Sequence, residues 1–279
     1  MKKAFLLSCL LLTLLSAWSQ DIPYGNNPAA GKYLTHKGAK LYYETYGTGR
    51  PLLLLHGDTY GYIEEFSQYI PILSQHFKVI AVGMRGHGKS ELGNLPFSYQ
   101  LFAEDAAAIL RQETADSAIV MGFSAGAVTA YYLAAYYPGL VTKAVVLGGA
   151  LNIKAYKPEA LKELKAMNAT IAEKQLPDVV AARKAIMPAP EKYGELIERL
   201  KATWFQEVYI PTAKAKAIKC PVMIVGGDSD DYFKVSGFLE AHEIIPNSQL
   251  AIIPHCGHIG LVLRPEYLTA VILPFMINN

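Results

Sequence analysis

Six short runs of continuous apolar residues recur along this chain, at 51–55, 79–82, 118–121, 144–147, 222–225 and 250–253. Each is too short for a buried helix and too uniformly apolar for a strand with one wet face. Runs of that kind suit strands covered on both faces, as in a parallel sheet. Helical patterns fall between them, at 63–76, 99–113, 125–137, 232–245 and 265–277. Pro71 lies inside the first of these and should kink or split it. An earlier segment, 40–46, alternates in polarity and ends at Gly47-Thr48-Gly49, which suits an antiparallel hairpin strand. Strands alternating with helices predict a mostly parallel sheet with helices on both faces.

One stretch breaks the alternation. From 152 to 212 there is no strand pattern, only Lys- and Glu-rich helical patterns at 158–170, 177–187 and 191–205, punctuated by prolines that include Pro188 and Pro190. An insertion of this size between two core strands reads as a helical cap or lid over one sheet edge. The plainer alternative is a row of surface helices with no part in a site. The core then comprises 20–151 and 213–279, with no internal repeat.

The first residues read differently. Met1-Lys2-Lys3 is basic, 4–15 is apolar apart from Ser8 and Thr13, and Ala17-Trp18-Ser19 precedes Gln20 as a small-x-small cleavage site. This is the pattern of a secretory signal peptide over 1–19, too short to span a bilayer. Leu6-Leu7-Ser8-Cys9 hints at a lipid-attachment cysteine, but the apolar run continues past Cys9. The expected compartment is periplasmic or extracellular, with no stable membrane insertion once the segment is removed. The whole chain carries 26 Lys and Arg against 24 Asp and Glu. Lys2 and Lys3 supply the excess, so the remainder is near neutral. It has no basic block of the kind that binds nucleic acid. Cys220 and Cys256 remain, and an exported pair invites a disulfide. One precedes a strand and the other follows the next, so on parallel neighbours they sit at opposite sheet edges. Both thiols are expected to be free.

The strand at 118–121 leads into Gly122-Phe123-Ser124-Ala125-Gly126 and then an apolar helix. Gly-x-Ser-x-Gly alone arises by chance in roughly one chain of this length in ten. Its setting adds the meaning. A strand that reverses sharply into a helix strains the turn residue and needs small neighbours two positions before and after. Ser124 then stands exposed at the positive end of the helix. A serine hydroxyl needs a base, the base needs an orienting acid, and the oxyanion needs donors.

Other strand ends offer these parts. Strand 51–55 ends at His56-Gly57-Asp58, so the Asp58 N–H, with that of Ala125, is the expected oxyanion pair. The Asp58 carboxylate should point away or cap the turn, since it would oppose a developing anion. His56, ending a buried strand, is read as a brace for that loop. Strand 222–225 leads into Gly226-Gly227-Asp228-Ser229-Asp230-Asp231. Asp230 is the chosen acid, with Asp228 holding the turn and Asp231 capping the next helix. Strand 250–253 leads into Pro254-His255-Cys256-Gly257-His258, where His258 is chosen as base over His255. Tyr60, Tyr62, Phe123 and Ile259 flank these motifs and are candidates to line an apolar pocket, with Trp204 and Phe205 candidates to close over it.

In this order the motifs resemble the α/β-hydrolase fold from about 33 to 277: His56-Gly57, Arg85-Gly86-His87-Gly88-Lys89-Ser90, the Ser124 pentapeptide, Gly227-Asp228-Ser229-Asp230 and Gly257-His258. The resemblance implies an eight-stranded, mostly parallel sheet. It implies Ser124 as nucleophile, Asp230 as acid, His258 as base, and backbone donors at Asp58 and Ala125. It implies a structural role for Arg85 to Ser90. Dehalogenases and epoxide hydrolases of this fold carry aspartate at the nucleophile position, so serine here implies acyl transfer. The implied activity is hydrolysis of a small-molecule carboxylic ester. Lactone or carbon–carbon bond hydrolysis, or low-turnover binding, are the alternatives. No metal cluster or nucleotide loop is apparent, and no cofactor is expected.

Overall fold

A computed structural model describes residues 22–278. The signal-peptide and lipid-attachment readings therefore lie outside the described residues. Eight strands form one sheet: β1 Gly31–His36, β2 Ala39–Tyr46, β3 Pro51–Leu55, β4 Lys78–Val82, β5 Ala118–Phe123, β6 Val141–Leu147, β7 Val222–Gly227 and β8 Ser248–Ile253. Their order is β1-β2-β4-β3-β5-β6-β7-β8. β2 runs antiparallel to both its neighbours, and every pairing from β4 to β8 is parallel.

The pleat divides the core in two. Leu53 and Leu55 of β3, with Ile80 and Val82 of β4, face one apolar cluster. Leu52 and Leu54, with Val79 and Ala81, face the other. The first cluster is roofed by α2 (Tyr99–Glu113), α3 (Ala125–Tyr136) and α9 (Val235–Ile244). The second is roofed by a 3-10 turn at Ile63–Phe66, α1 (Ile70–Leu73), α10 (Gly260–Leu263) and α11 (Pro265–Ile277). Continuous apolar runs are thus required on the inner strands, because neither face meets water.

The edges depart from expectation. The hairpin partner of β2 is β1, through Lys37-Gly38 at φ of 44° and 71°. Two positive φ values form the two-residue turn whose twist matches a hairpin. Gly47-Thr48-Gly49 instead carries the chain from β2 to β3, which are not neighbours. β1 has no apolar run because three of its six residues are exposed and none is buried. β8, read as buried on both faces, is the far edge and only partly buried.

The helix at 63–76 is split, with Pro71 in the first turn of α1. α9 starts at Val235, three residues later than predicted. The N–H groups of Tyr232 and Phe233 are held by Asp230 Oδ1, each at 2.8 Å, and leave the helix no place to begin. Cys220 lies before β7 and Cys256 after β8, and both are free thiols. Parallel pairing sets them at opposite ends of six-residue strands, roughly 20 Å apart. A disulfide needs Cα atoms within about 7 Å.

Between β6 and β7 the chain forms α4 (Pro158–Ala166), α5 (Ala169–Gln175), α6 (Pro177–Ile186), α7 (Tyr193–Trp204) and α8 (Thr212–Lys216). Asn168 caps α5 by accepting from the Ile171 N–H at 3.0 Å, and Pro158 and Pro177 open α4 and α6. No helix among the described residues is long and apolar enough to cross a membrane.

Candidate active site

Ser124 joins β5 to α3 with φ of 54° and ψ of −116°, a conformation a serine adopts only under constraint. The constraint comes from close passage on both sides. A Cβ on Gly122 would lie 2.1 Å from the Gly126 carbonyl oxygen, and one on Gly126 would lie 2.0 Å from that of Leu55. No side chain fits in either gap. The Ser124 N–H donates to the Leu147 carbonyl at 2.8 Å, which pins the turn to β6. Ala125 is the first residue of α3, so its N–H has no intrahelical acceptor and points out at the positive end of the helix.

At the end of β7, Asp230 is only 1% exposed. Oδ1 accepts the two N–H groups that delay α9, and Oδ2 accepts from Nδ1 of His258 at 2.8 Å. The carboxylate is thus fixed by three donors, and it fixes the imidazole in turn. With Nδ1–H committed to Asp230, Nε2 is left free to accept a proton. The His258 ring packs against Phe123 at 4.8 Å and Tyr232 at 5.0 Å between centroids. Ser124, Ala125, Asp58 and His258 line one cavity of about 300 Å³. His255 is exposed and off that cavity. Asp228 holds the turn through Cys256 N–H at 3.2 Å and Ser229 Oγ at 2.9 Å. Asp231 does not cap α9, whose N-cap is Lys234; it lines the cavity instead.

The loop after β3, which carries Asp58, is braced from beneath. His56 is fully buried, accepts the Met84 N–H at Nε2 (2.8 Å) and faces the Gly57 carbonyl with Nδ1 (2.6 Å). The first bond fixes the proton on Nδ1, and burial holds the ring well below its ordinary pKa. Arg85 is buried against Asp105 through two 2.7 Å bonds, and His87 is kept neutral by burial, down to about 4. Neither lines the cavity.

The Asp58 carboxyl neither points away nor caps its turn. Oδ2 accepts from the Trp204 indole N–H at 2.6 Å, and Oδ1 is buried with no partner. Trp204 lies at the end of α7, so this bond ties the inserted helices to the loop after β3. Two more bonds do the same: Arg183 Nε to the Tyr60 carbonyl at 3.0 Å, and Tyr60 Oη to Gln175 at 2.6 Å. Burial pushes the Asp58 carboxyl up to about 7 from 3.8, against the pull of the Trp204 N–H. The folded protein therefore keeps this proton across a window in which the unfolded chain has lost it. Stability from this source is full below the unfolded value and falls as pH rises to about 7. Asp58→Asn removes the titration. Relative to wild type the variant should gain about 2–3 kcal/mol between pH 5 and pH 8, read from urea unfolding at the two values. A difference that does not change with pH contradicts this.

Tyr60, Phe123, Trp204 and Ile259 line the cavity, with Ile259 at its rim. Tyr62 does not. It is fully buried, and its hydroxyl donates to the Gly25 carbonyl at 2.7 Å. Phe205 is exposed and off the cavity, because the helix ends at Trp204 and turns it outward. Tyr99, Tyr156, Leu164, Met167 and Leu176 also line the cavity and carry no motif that marks them. Tyr232 and Phe233, also in the lining, were within reach of sequence reasoning, since they follow Asp230-Asp231 directly.

Known proteins bear on this arrangement. A model of the alpha/beta hydrolase family matches residues 52–271. A putative esterase/lipase of Haemophilus influenzae is 22% identical over 82% of this chain and 83% of its own length. A 2-hydroxy-6-oxo-6-(2'-aminophenyl)hexa-2,4-dienoic acid hydrolase of Metapseudomonas resinovorans is 24% identical over 88% of this chain and 90% of its own length. Among solved structures, a Bacillus subtilis carboxylesterase superposes with a TM-score of 0.72 at 19% identity, covering 89% of this chain and 92% of the other. Est816, described as an N-acyl homoserine lactone degrading enzyme, gives a TM-score of 0.72 at 23% identity, covering 88% and 100%. The sheet order, the strained serine between β5 and α3, and a family match over most of the chain agree: the chain belongs to the alpha/beta hydrolase family.

Proposed function

We propose that this hydrolase cleaves a small carboxylic ester through Ser124, His258 and Asp230. The observation that carries the reading is the shared cavity of a strained serine and a histidine whose Nδ1 is locked to a buried carboxylate. Ser124 Oγ attacks the ester carbonyl carbon as His258 Nε2 takes its proton. The tetrahedral oxyanion rests on the N–H groups of Asp58 and Ala125. The C–O bond to the alcohol breaks, and the leaving oxygen takes the proton from His258. Water, deprotonated by the same nitrogen, then attacks the acyl-enzyme and frees the acid and Ser124. The inserted helices act as a cap, closing the cavity with Leu164, Met167, Leu176 and Trp204. The leader at 1–19 supports action outside the cytoplasm.

The relatives include enzymes named for ester, lactone and dienoic acid substrates. The cavity favours the first. It is lined by Asp58, Glu65 and Asp231 and, among the described residues, by no lysine or arginine. A substrate with a free carboxylate finds no countercharge there. A cavity of about 300 Å³ also sits at the small end for ligand sites. A series of chromogenic esters should therefore peak at acyl chains of about two to six carbons and fall steeply beyond about ten. A lactone and a vinylogous diketone complete the panel. Faster cleavage of either displaces the ester reading. One slow turnover with tight product retention on every substrate displaces it in favour of a binding protein.

A further inference from the structure

The lining of the catalytic cavity joins two properties. Its walls are aromatic: Tyr60, Tyr99, Tyr156, Trp204 and Tyr232. Its ionisable carboxyls are Asp58 and Glu65 beside the oxyanion loop, both pushed up to about 7 by burial, and Asp231, exposed, at the mouth. Arg183 is turned to the Tyr60 carbonyl and to Glu64, the latter at 2.8 Å, and does not line the space. Electron-rich ring faces and carboxylates without a basic partner attract an organic cation. A merely greasy ester pocket needs no acid, and a pocket for a free acid would need a base.

Asp58 gives a second, independent sign. Its Oδ1 is buried, accepts no hydrogen bond and belongs to a residue lining the cavity. Buried polar atoms are nearly always paired, and an unpaired one calls for an explanation, such as a charge brought by a ligand. Glu65 is already occupied, accepting the Gly57 N–H at 2.8 Å. Burial, and after it the charge of Asp58, holds the Tyr99 hydroxyl well above its ordinary value, so the ring beside that carboxylate stays a neutral phenol.

We infer that the preferred substrate is an ester carrying an ammonium group, seated against the aromatic wall with Asp58 as its countercharge. This rests on the ester-hydrolase reading and narrows its substrate class. A cation at Asp58 also removes a difficulty within the site. Above about pH 7, where Asp58 gives up its proton, a carboxylate next to the oxyanion donors opposes the transition state, and a bound ammonium offsets that charge.

The test, run at pH 8 where Asp58 is ionised, pairs each cation with its neutral carbon isostere. Acetylcholine is compared with neohexyl acetate for the alcohol side, and betaine ethyl ester with ethyl tert-butylacetate for the acyl side. In at least one pair kcat/KM for the cation, divided by the rate of hydroxide hydrolysis of the same ester, should exceed that of the isostere by about tenfold, the size of a desolvated cation–π contact aided by a carboxylate. In Asp58→Asn, which keeps the backbone donor, that ratio should fall to within about twofold of unity. Neutral isosteres cleaved as well as or better than the cations in both pairs overturn the inference and leave the ester reading intact. A cation preference that survives in Asp58→Asn overturns the role of Asp58. If no ester is cleaved, the ester reading fails. Calorimetry of choline against neohexyl alcohol, on wild type and Asp58→Asn, then decides the cation site alone: choline binding tighter, and only in wild type, supports it, and equal binding overturns it.

Discussion

Asp230→Asn should lower kcat by about 10,000-fold while leaving the fold in place. The reason lies in how the carboxylate divides its two oxygens. Oδ1 accepts from the N–H groups of Tyr232 and Phe233, each at 2.8 Å, and Oδ2 accepts from Nδ1 of His258 at 2.8 Å. An asparagine has one oxygen and one NH2. Two backbone donors hold the oxygen, so the NH2 turns toward His258. Nδ1 must then accept, and the ring proton moves to Nε2. A histidine in that tautomer cannot take the proton of Ser124. Backbone contacts survive, so the melting temperature should move by only a few degrees, whereas the rate collapses. The check is steady-state kinetics on the best ester, alongside thermal unfolding. Activity within about tenfold of wild type would remove Asp230 from the proposed triad.

The second large effect concerns stability. Arg85 is fully buried, with its guanidinium on both oxygens of Asp105 at 2.7 Å and on the His36 carbonyl at 3.0 Å. Asp105 is 3% exposed and also meets His36 Nδ1 at 2.7 Å. Asp105→Ala leaves a guanidinium charge in the core with carbonyls as its remaining acceptors. The expected loss is about 3–5 kcal/mol, the cost of stranding one member of a buried pair. In a chain of this size that lowers Tm by about 10 °C. Replacing both members with apolar residues of similar volume should cost much less, because the penalty lies in the unpaired charge. Chemical unfolding of the single and double variants distinguishes the cases. A single-variant loss under about 1 kcal/mol would mean that Arg85 is solvated in some way this fold does not offer.

These two sites differ in how far the sequence exposes them. The Ser124 turn is local. Gly122 and Gly126 flank it because backbone passes within 2.1 Å of where their side chains would stand, and that need is written within five residues. Asp230 and His258 are read because each follows a short apolar strand, and parallel strands place their ends at one edge. The limits of α2 and α11 are likewise legible, with Ser98 accepting from the Leu101 N–H and Pro265 opening the last helix. What escapes is set by distant partners. The Asp58 carboxyl is held buried at the cavity wall because Trp204, 146 residues on, donates to it. Tyr62 is buried because Gly25 accepts from its hydroxyl. Tyr99 and Tyr156 reach the cavity from unrelated elements. β1 escapes because an exposed edge strand needs no apolar run to form.

The central claim is that Ser124 attacks an acyl-type electrophile. A fluorophosphonate probe reacts with a serine only when a base and oxyanion donors activate it. Folded wild-type protein, labelled and then digested for mass spectrometry, should carry one adduct, on Ser124. Labelling should vanish in the Ser124→Ala variant with an unchanged circular dichroism spectrum, and after denaturation of the wild type. Absence of an adduct on folded protein, or an adduct on another serine, would contradict the account.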